Sequence, residues 1–348
     1  MLAAAPRVAI APANDSSDTP HVWRQTLEFV EPFLAEVTNR LAQQVGLFEP
    51  ELAASAHHAL TASGKQLRPT LLALCADATG GLTPGHATVA AIIEMVHLAT
   101  LVHDDVLDEA QTRRGRPTLA GESGNEHAVL FGDCLFAHAL ELAASFPTTV
   151  VCRSVAQATK TVCTGEIIQN QQRLRFDLPL PEYFRVLEMK TAELFALSCE
   201  LGAYLNDAPA ADRAALRQYG LELGTAYQIY DDCLDVFGTE LVAGKSLGTD
   251  LAHGKVTLPL LLLRESASPE DRALVEQLLR DWEPPALSTL LEMLRQHQCL
   301  ERSLEVLHGY ARRGRAAAEA LGSRGQRLQQ LADFLVRQAD ALGHQPGA

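Results

Sequence analysis

Two short acidic strings are the first residues in this chain that could do chemistry. Asp104-Asp105-Val106-Leu107-Asp108 leads into Glu109, and Asp231-Asp232-Cys233-Leu234-Asp235 repeats the same spacing in the second half of the sequence. On a helix, Asp104 and Asp108 fall one turn apart on one face, with roughly 5 to 6 Å between their Cβ atoms. At an effective dielectric of about 20, that repulsion costs on the order of 3 kcal/mol. The first string also lies toward the C-terminal end of its helical pattern, where the macrodipole disfavours anions. Positive charge is required there. Mg²⁺ meets the requirement, because it is held by one or two carboxylates together with substrate phosphates. A single such string could be an inert, solvated helix end. The second copy, at the end of another apolar helix from Leu221 to Tyr230, points instead to two facing walls of one cavity.

Cations follow the acids. Arg113 and Arg114 come just after the first string, Lys65 and Arg68 bracket GKQLRP, Lys190-Thr191 sits within a helical pattern, and Lys245 and Lys255 fall in GKSLGTDLAHGKVTLPL. Of 29 basic residues only five are lysines, and four of those five stand in these strings. Lysine is a compact point charge suited to phosphate oxygens. Surface ion pairs would explain such neighbours at about 0 to 1 kcal/mol each. The alternative is a site for two diphosphates, one held through metal and one by direct contact. It also reconciles an anionic ligand with a formal net charge of −14, since bound metal inverts the local charge.

The elements that must position these residues read as helices throughout. Hydrophobic residues make up 47% of the chain and aromatics only 5%, a mixture that favours helices over strands. Periodicity runs from Trp23 to about Gly46, from Glu49 to Ala62, and from Thr70 to Thr79. A long helix from about His86 carries AAIIEMVHLATLVHDDVLDEA, apolar almost all round and therefore buried. Gln111 to Thr118 reads as a loop. Helices then cover roughly Glu126 to Ser145, Thr149 to Arg173, Pro181 to Leu205, Asp212 to Phe237 and Leu258 to Glu265, with several more from Pro269 to Leu342. The expected fold is all-α, a single large helical bundle around a central apolar cavity. Its expected layout is a disordered leader over 1–20, a helical domain over 21–343 and a flexible tail over 344–348.

Other classes are disfavoured. The acidic balance argues against nucleic-acid binding, which requires a basic face. No uninterrupted apolar run of about 18 residues suggests an integral membrane segment. Seven cysteines without CxxC spacing, including Cys75, Cys134, Cys163 and Cys199, read as small core residues in a reducing, cytoplasmic setting.

With these strings in view, the chain resembles the trans-polyprenyl diphosphate synthases, from GKQLRPTLLAL to LADFLVRQ. EMVHLATLVHDDVLDEAQTRRGRPT is similar to that family's first aspartate-rich region, and GDCLFAHAL, GEIIQ, EMKTAELF and YQIYDDCLDVFGTE follow in its order. The resemblance implies an isoprenoid-synthase fold and a homodimer. It also implies condensation of isopentenyl diphosphate with an allylic diphosphate, using Mg²⁺, three ions in all. Asp104, Asp105, Asp108, Asp231, Asp232 and Asp235 would hold the metal. Lys65, Arg68, His97 and Arg114 would take isopentenyl diphosphate, and Arg113, Lys190, Lys245 and Lys255 the allylic diphosphate. Thr191 and Gln228 would face the developing cation. Ala99 and Thr100 stand where bulky side chains would floor the pocket, so an open tunnel and a product longer than geranylgeranyl diphosphate are expected, with Phe131 or Phe136 as a deeper floor. A short-chain farnesyl or geranylgeranyl synthase, a terpene cyclase and a regulatory subunit are the rivals. GKQLRP and the second acidic string argue against the cyclase, and two intact strings argue against the regulatory subunit.

Overall fold

The computed structural model describes residues 21–61, 64–113, 115–239 and 247–344. The leader expected over 1–20, most of the expected tail, Arg114 and Lys245 lie outside them.

In chain order the helices are α1 His21–Val45, α2 Ala53–Leu60, α3 Leu67–Thr79, α4 Pro84–Leu107, α5 Leu119–Ser123, α6 Asn125–Ala144 and α7 Thr149–Gln171. They continue as α8 Leu180–Leu187, α9 Glu193–Tyr204, α10 Ala210–Phe237, α11 Thr249–Ala252 and α12 Leu258–Ser266. The last four are α13 Pro269–Arg280, α14 Ala286–Gln296, α15 Cys299–Glu319 and α16 Gln326–Asp340. Among the described residues the only sheet is a ribbon of β1 Thr112–Arg113 and β2 Arg116–Pro117, paired antiparallel where a plain loop was expected. The helix expected from Pro181 to Leu205 is broken by a π-turn at Glu188–Ala192, between α8 and α9. Periodicity does not show this, because the segments on either side are each regularly helical and the inserted residue changes only the phase between them.

The chain forms two compact units. The first runs to Lys160 and takes in Leu194–Gly220 and Ala317–Gln330. Its core includes Leu71, Leu72, Ile92, Ile93 and Met95, all at most 1% exposed. Thr83 starts α4: its backbone N–H donates to His86 Nδ1 at 2.9 Å, and Pro84 occupies the first turn, where its missing N–H costs nothing. His86 is wholly buried and its Nε2 meets the Gly202 carbonyl oxygen at 3.0 Å, so burial pushes its pKa down and the ring serves as a neutral strut. A Cβ at Gly202 would lie 2.6 Å from the Leu72 carbonyl oxygen, so only glycine lets α9 rest directly on α3.

The second unit comprises Thr161–Glu193, Leu221–Ala316 and the chain from Leu331. Leu258, Leu290, Leu294 and Leu307 are completely buried in it. Arg313 stacks over Tyr310 at 4.1 Å and donates through Nε to Glu222 at 2.9 Å, tying α15 to α10.

Helices α4 and α6 are long and apolar enough to cross a membrane by length and composition. Each carries polar residues that interrupt the run, and α4 is the helix whose apolar pattern reads in the sequence as buried. Two-thirds of the α4 window is already buried against protein, and the helix ends in the first acidic string. The cysteines divide further than expected: Cys75, Cys199, Cys233 and Cys299 are buried, Cys163 is half-buried and Cys134 is exposed.

Candidate active site

In the first unit, the acidic string closes α4. Asp108 is the C-cap, its N–H donating to the Asp104 carbonyl at 2.8 Å, and Glu109 turns the chain with φ +49°. Asp104 and Asp108 are half-exposed, whereas Asp105 is 5% exposed. The Asp105 carboxylate accepts from Arg113 Nε at 2.7 Å, across the start of the ribbon. Burial pushes the Asp105 pKa up, and the Arg113 guanidinium pulls it partly back. Arg113, expected to bind diphosphate, is therefore also the counter-ion of the string.

The same unit holds a second basic element. Gln66 adopts a left-handed conformation, φ +47°, immediately before α3, a geometry that costs a non-glycine residue about 1 to 2 kcal/mol. Its carbonyl accepts from the Thr70 N–H and hydroxyl at 3.0 and 2.9 Å, and its amide donates to Thr38 at 3.0 Å. This turn sets Lys65 just ahead of the α3 N-terminus and Arg68 within its first turn, with the Arg68 guanidinium 5.3 Å from the centre of the Phe195 ring. A helix N-terminus flanked by two cations is a ready anion site. His97 is half-buried on α4, its carbonyl accepting from Thr100 Oγ1 at 2.7 Å. Ala99 is completely buried, as is Phe131, whose ring stacks 6.4 Å from His127; Phe136 sets its edge to His103 at 5.6 Å.

In the second unit, the acidic string lies inside the last turns of α10 and is wired to everything around it. Asp231 is half-exposed, but Asp232 and Asp235 are 3% and 0% exposed. Asp232 accepts from Gln228 Nε2 at 2.8 Å and from the Tyr183 hydroxyl at 2.5 Å. Gln228 Oε1 in turn accepts from Thr191 Oγ1 at 2.8 Å. Asp235 accepts from Thr249 Oγ1 at 2.6 Å and from the Asp250 N–H at 3.0 Å, anchoring α11. The Asp250 carboxylate is 3.6 Å from Lys255 Nζ. The Asp232 pKa is pushed up to about 8, first by burial and then by the Asp250 charge, against the two hydrogen bonds that favour the anion. A buried carboxylate raised this far marks a place that calls for positive charge.

Lys190 and Thr191 stand on the π-turn, a feature found mostly at functional sites. Lys190 donates to Gln169 Oε1 at 2.9 Å and pairs with Glu166, both on α7. A Cβ at Gly165 would come 2.9 Å from the Lys190 amide nitrogen, so glycine lets α7 approach the turn. The second unit thus brings Lys190, Thr191, Gln228, Asp232, Asp235 and Lys255 into one neighbourhood. Tyr183, Glu166 and Asp250 belong to it as well. Sequence reasoning had passed over all three, although GEIIQ and GKSLGTDLAHGK contain two of them.

The donors of both strings are oxygens only, which fits a hard dication. Among the described residues no three His, Cys, Asp or Glu side chains form a closed cage. Mg²⁺ is a hard dication that takes one or two carboxylates and fills its shell with waters and substrate oxygens.

The profile of the polyprenyl synthetase family matches residues 49–295. The chain belongs to that family. It is a trans-prenyltransferase of all-α fold, and magnesium dependence is general among such synthases. Heptaprenyl diphosphate synthase component 2 of Geobacillus stearothermophilus is 41% identical over 67% of this chain and 73% of its own. The short chain isoprenyl diphosphate synthase of Methanothermobacter thermautotrophicus is 30% identical over 90% and 98%. The crystal structure of a Caulobacter crescentus polyprenyl synthase, complexed with calcium and isoprenyl diphosphate, superimposes with a TM-score of 0.84 at 33% identity, covering 93% of this chain and 99% of that one.

Proposed function

We propose that the chain joins isopentenyl diphosphate to an allylic diphosphate repeatedly and releases a polyprenyl diphosphate longer than geranylgeranyl diphosphate. The observation that carries this reading is the wiring of Thr191 through Gln228 to Asp232 of the second acidic string, with Lys190 beside Thr191 on the π-turn and held to α7, all within one unit. A phosphate-binding cation and a cation-stabilising hydroxyl are there built onto the motif that calls for metal.

In this reading Asp104, Asp108 and Asp231 are the partly exposed carboxylates that hold Mg²⁺, three ions in all, while Asp105, Asp232 and Asp235 support them from within. The ions would neutralise the leaving diphosphate as its negative charge grows. In the second unit Lys190 and Lys255 bind the allylic diphosphate, and the Glu166 carboxylate holds Lys190 ready for it; Arg113 and Lys245 take that role by family resemblance alone. Lys65, Arg68, His97 and Arg114 hold isopentenyl diphosphate at the head of α3. Thr191 and Gln228 face the allylic centre, where the double bond of isopentenyl diphosphate attacks and a proton then leaves to the departed pyrophosphate. No separate protein base is needed. An apolar channel excludes water from the cation. Ala99, completely buried on α4 one turn before Asp104, leaves that channel without an aromatic floor.

The likeness to a short chain isoprenyl diphosphate synthase favours the second reading, in which Phe131 or Phe136 ends growth early. Sizing the products made from labelled isopentenyl diphosphate decides between them. Products beyond geranylgeranyl diphosphate support the first reading, and a product that stops at farnesyl overturns it. The chain is further proposed to act as a homodimer; the relative named as component 2 raises a heteromer instead. Turnover by the purified chain alone, at a mass of two copies, would exclude that.

A further inference from the structure

Glu188 opens the π-turn, just ahead of Lys190 and Thr191, and stands one helical turn beyond Phe184 on the same face of α8. That face meets α15. The Phe184 ring lies 5.5 Å from the Tyr310 ring, and the Arg313 guanidinium covers Tyr310 from 4.1 Å. Arg313 then reaches α10, where its Nε and Nη2 both stand 2.9 Å from one oxygen of Glu222, a side chain only 10% exposed. Burial and the Glu222 charge push the Glu188 pKa up, and the Arg313 charge pulls it back. The Tyr310 hydroxyl feels the same three groups, its pKa raised first by burial and then by Glu188. Two carboxylates, one from the π-turn and one from α10, thus lie in the field of a single guanidinium.

Resting on the function proposed above, we infer that Arg313 is a positioning residue: stacked on Tyr310, it balances Glu188 and Glu222 together and so clamps the start of the π-turn to α10, setting Lys190 and Thr191 for the allylic diphosphate. A π-turn departs from the ordinary α-helical ladder, so its neighbours must hold it in register. Beyond Glu188 the hold comes from α7, through Gly165 against the Lys190 amide and Gln169 on the Lys190 ammonium. On the Glu188 side it comes from α10 and α15. Removing Arg313 alone leaves two acids facing each other without their counter-ion. Removing one acid along with it leaves little to repel, the asymmetry of any partly buried ion cluster.

Arg313→Met keeps an unbranched stem over Tyr310 and removes the charge. The test compares it with the double variant Arg313→Met, Glu188→Gln at pH 8.5, chosen to keep the carboxylates charged, and reads kcat, the KM of each diphosphate and the melting temperature. Arg313→Met is expected to lower kcat by about tenfold, within the scale of a slightly misplaced group, and to raise the KM of the allylic diphosphate about threefold or more. The KM of isopentenyl diphosphate should stay within about twofold, because its proposed ligands do not stand on the π-turn. Adding Glu188→Gln should bring kcat back to within about threefold of wild type, since both changes act in one cluster. If Arg313→Met melts early, the double variant must regain the melting temperature as well. Wild-type kinetics in Arg313→Met, equal losses in both KM values, or a double variant no better than the single one would overturn the inference. The wild-type chain is assayed first with both diphosphates; failure there counts against the prenyltransferase reading, whereas failure of the rescue counts against the Arg313 clamp alone.

Discussion

The two acidic strings share one spacing but sit in different surroundings. The first caps a helix and leaves Asp104 and Asp108 half-exposed, while Asp105 makes a short ion pair with Arg113. The second is embedded: Asp232 and Asp235 each accept two hydrogen bonds, and through them three other elements are held, namely α8 through Tyr183, the π-turn through Gln228 and Thr191, and α11 through Thr249 and the Asp250 amide. The contrast teaches that DDxxD is a spacing, not a role. On one helix it delivers carboxylates outward. On the other it delivers one outward and uses two to hold α8, the π-turn and α11 against α10.

The sharpest way to break that contrast is Asp104→Ala, which should lower kcat by about 10² or more, the scale for one lost preorganised electrostatic contact. Near-wild-type turnover would remove the first string from the mechanism. Stability against pH comes next. Asp232 keeps its proton in the folded chain up to about pH 8, whereas the unfolded chain loses it near its ordinary value of 3.8. Its contribution to stability is therefore complete below about pH 4 and is lost as pH rises through 8, by up to a few kcal/mol. With chelator present, the urea midpoint should fall between pH 5 and 8.5, and Asp232→Asn should flatten the slope. A slope unchanged in Asp232→Asn would contradict the buried, strained carboxylate.

A smaller effect separates outward from inward carboxylates. Asp231→Asn should raise the Mg²⁺ concentration for half-maximal activity about tenfold, equivalent to about 1.4 kcal/mol, while Asp232→Asn shifts it less than about twofold. Mn²⁺ binding followed by magnetic resonance, with inorganic pyrophosphate, should show the same order. Equal shifts would make the two strings alike after all. Furthest from the strings is Gly165→Ala, which drives a methyl against Met189 and the Lys190 amide and should cost about 1 kcal/mol of stability. Full stability with a full rate would show that α7 need not press on the π-turn.

Much of this was legible before any coordinates. Helical periodicity found the long elements, because α4 and α10 bury nearly continuous apolar faces, and the spacing of Asp104 to Asp108 and Asp231 to Asp235 gave the charge problem its location. Lys190 stands out in the sequence as one of the few lysines, whereas the roles of Thr191 and Gln228 come from family likeness alone. What escaped the sequence reading was the pairing across elements. Tyr183 reads as one more aromatic on an amphipathic helix, and nothing in its neighbours says that its hydroxyl meets Asp232 on α10. Glu166 and Asp250 are ordinary acids in helical and turn patterns until Lys190 and Lys255 lie against them. Asp232 and Asp235 look interchangeable with Asp231 in the sequence, because local spacing carries no information about which side is buried.

The most direct check of the account is a pyrophosphate-release assay on the purified chain, run with each diphosphate alone and with both, in Mg²⁺ and in chelator. Release only when isopentenyl diphosphate, an allylic diphosphate and Mg²⁺ are all present is the predicted result. Release from the allylic diphosphate alone, or turnover that persists in chelator, would contradict it.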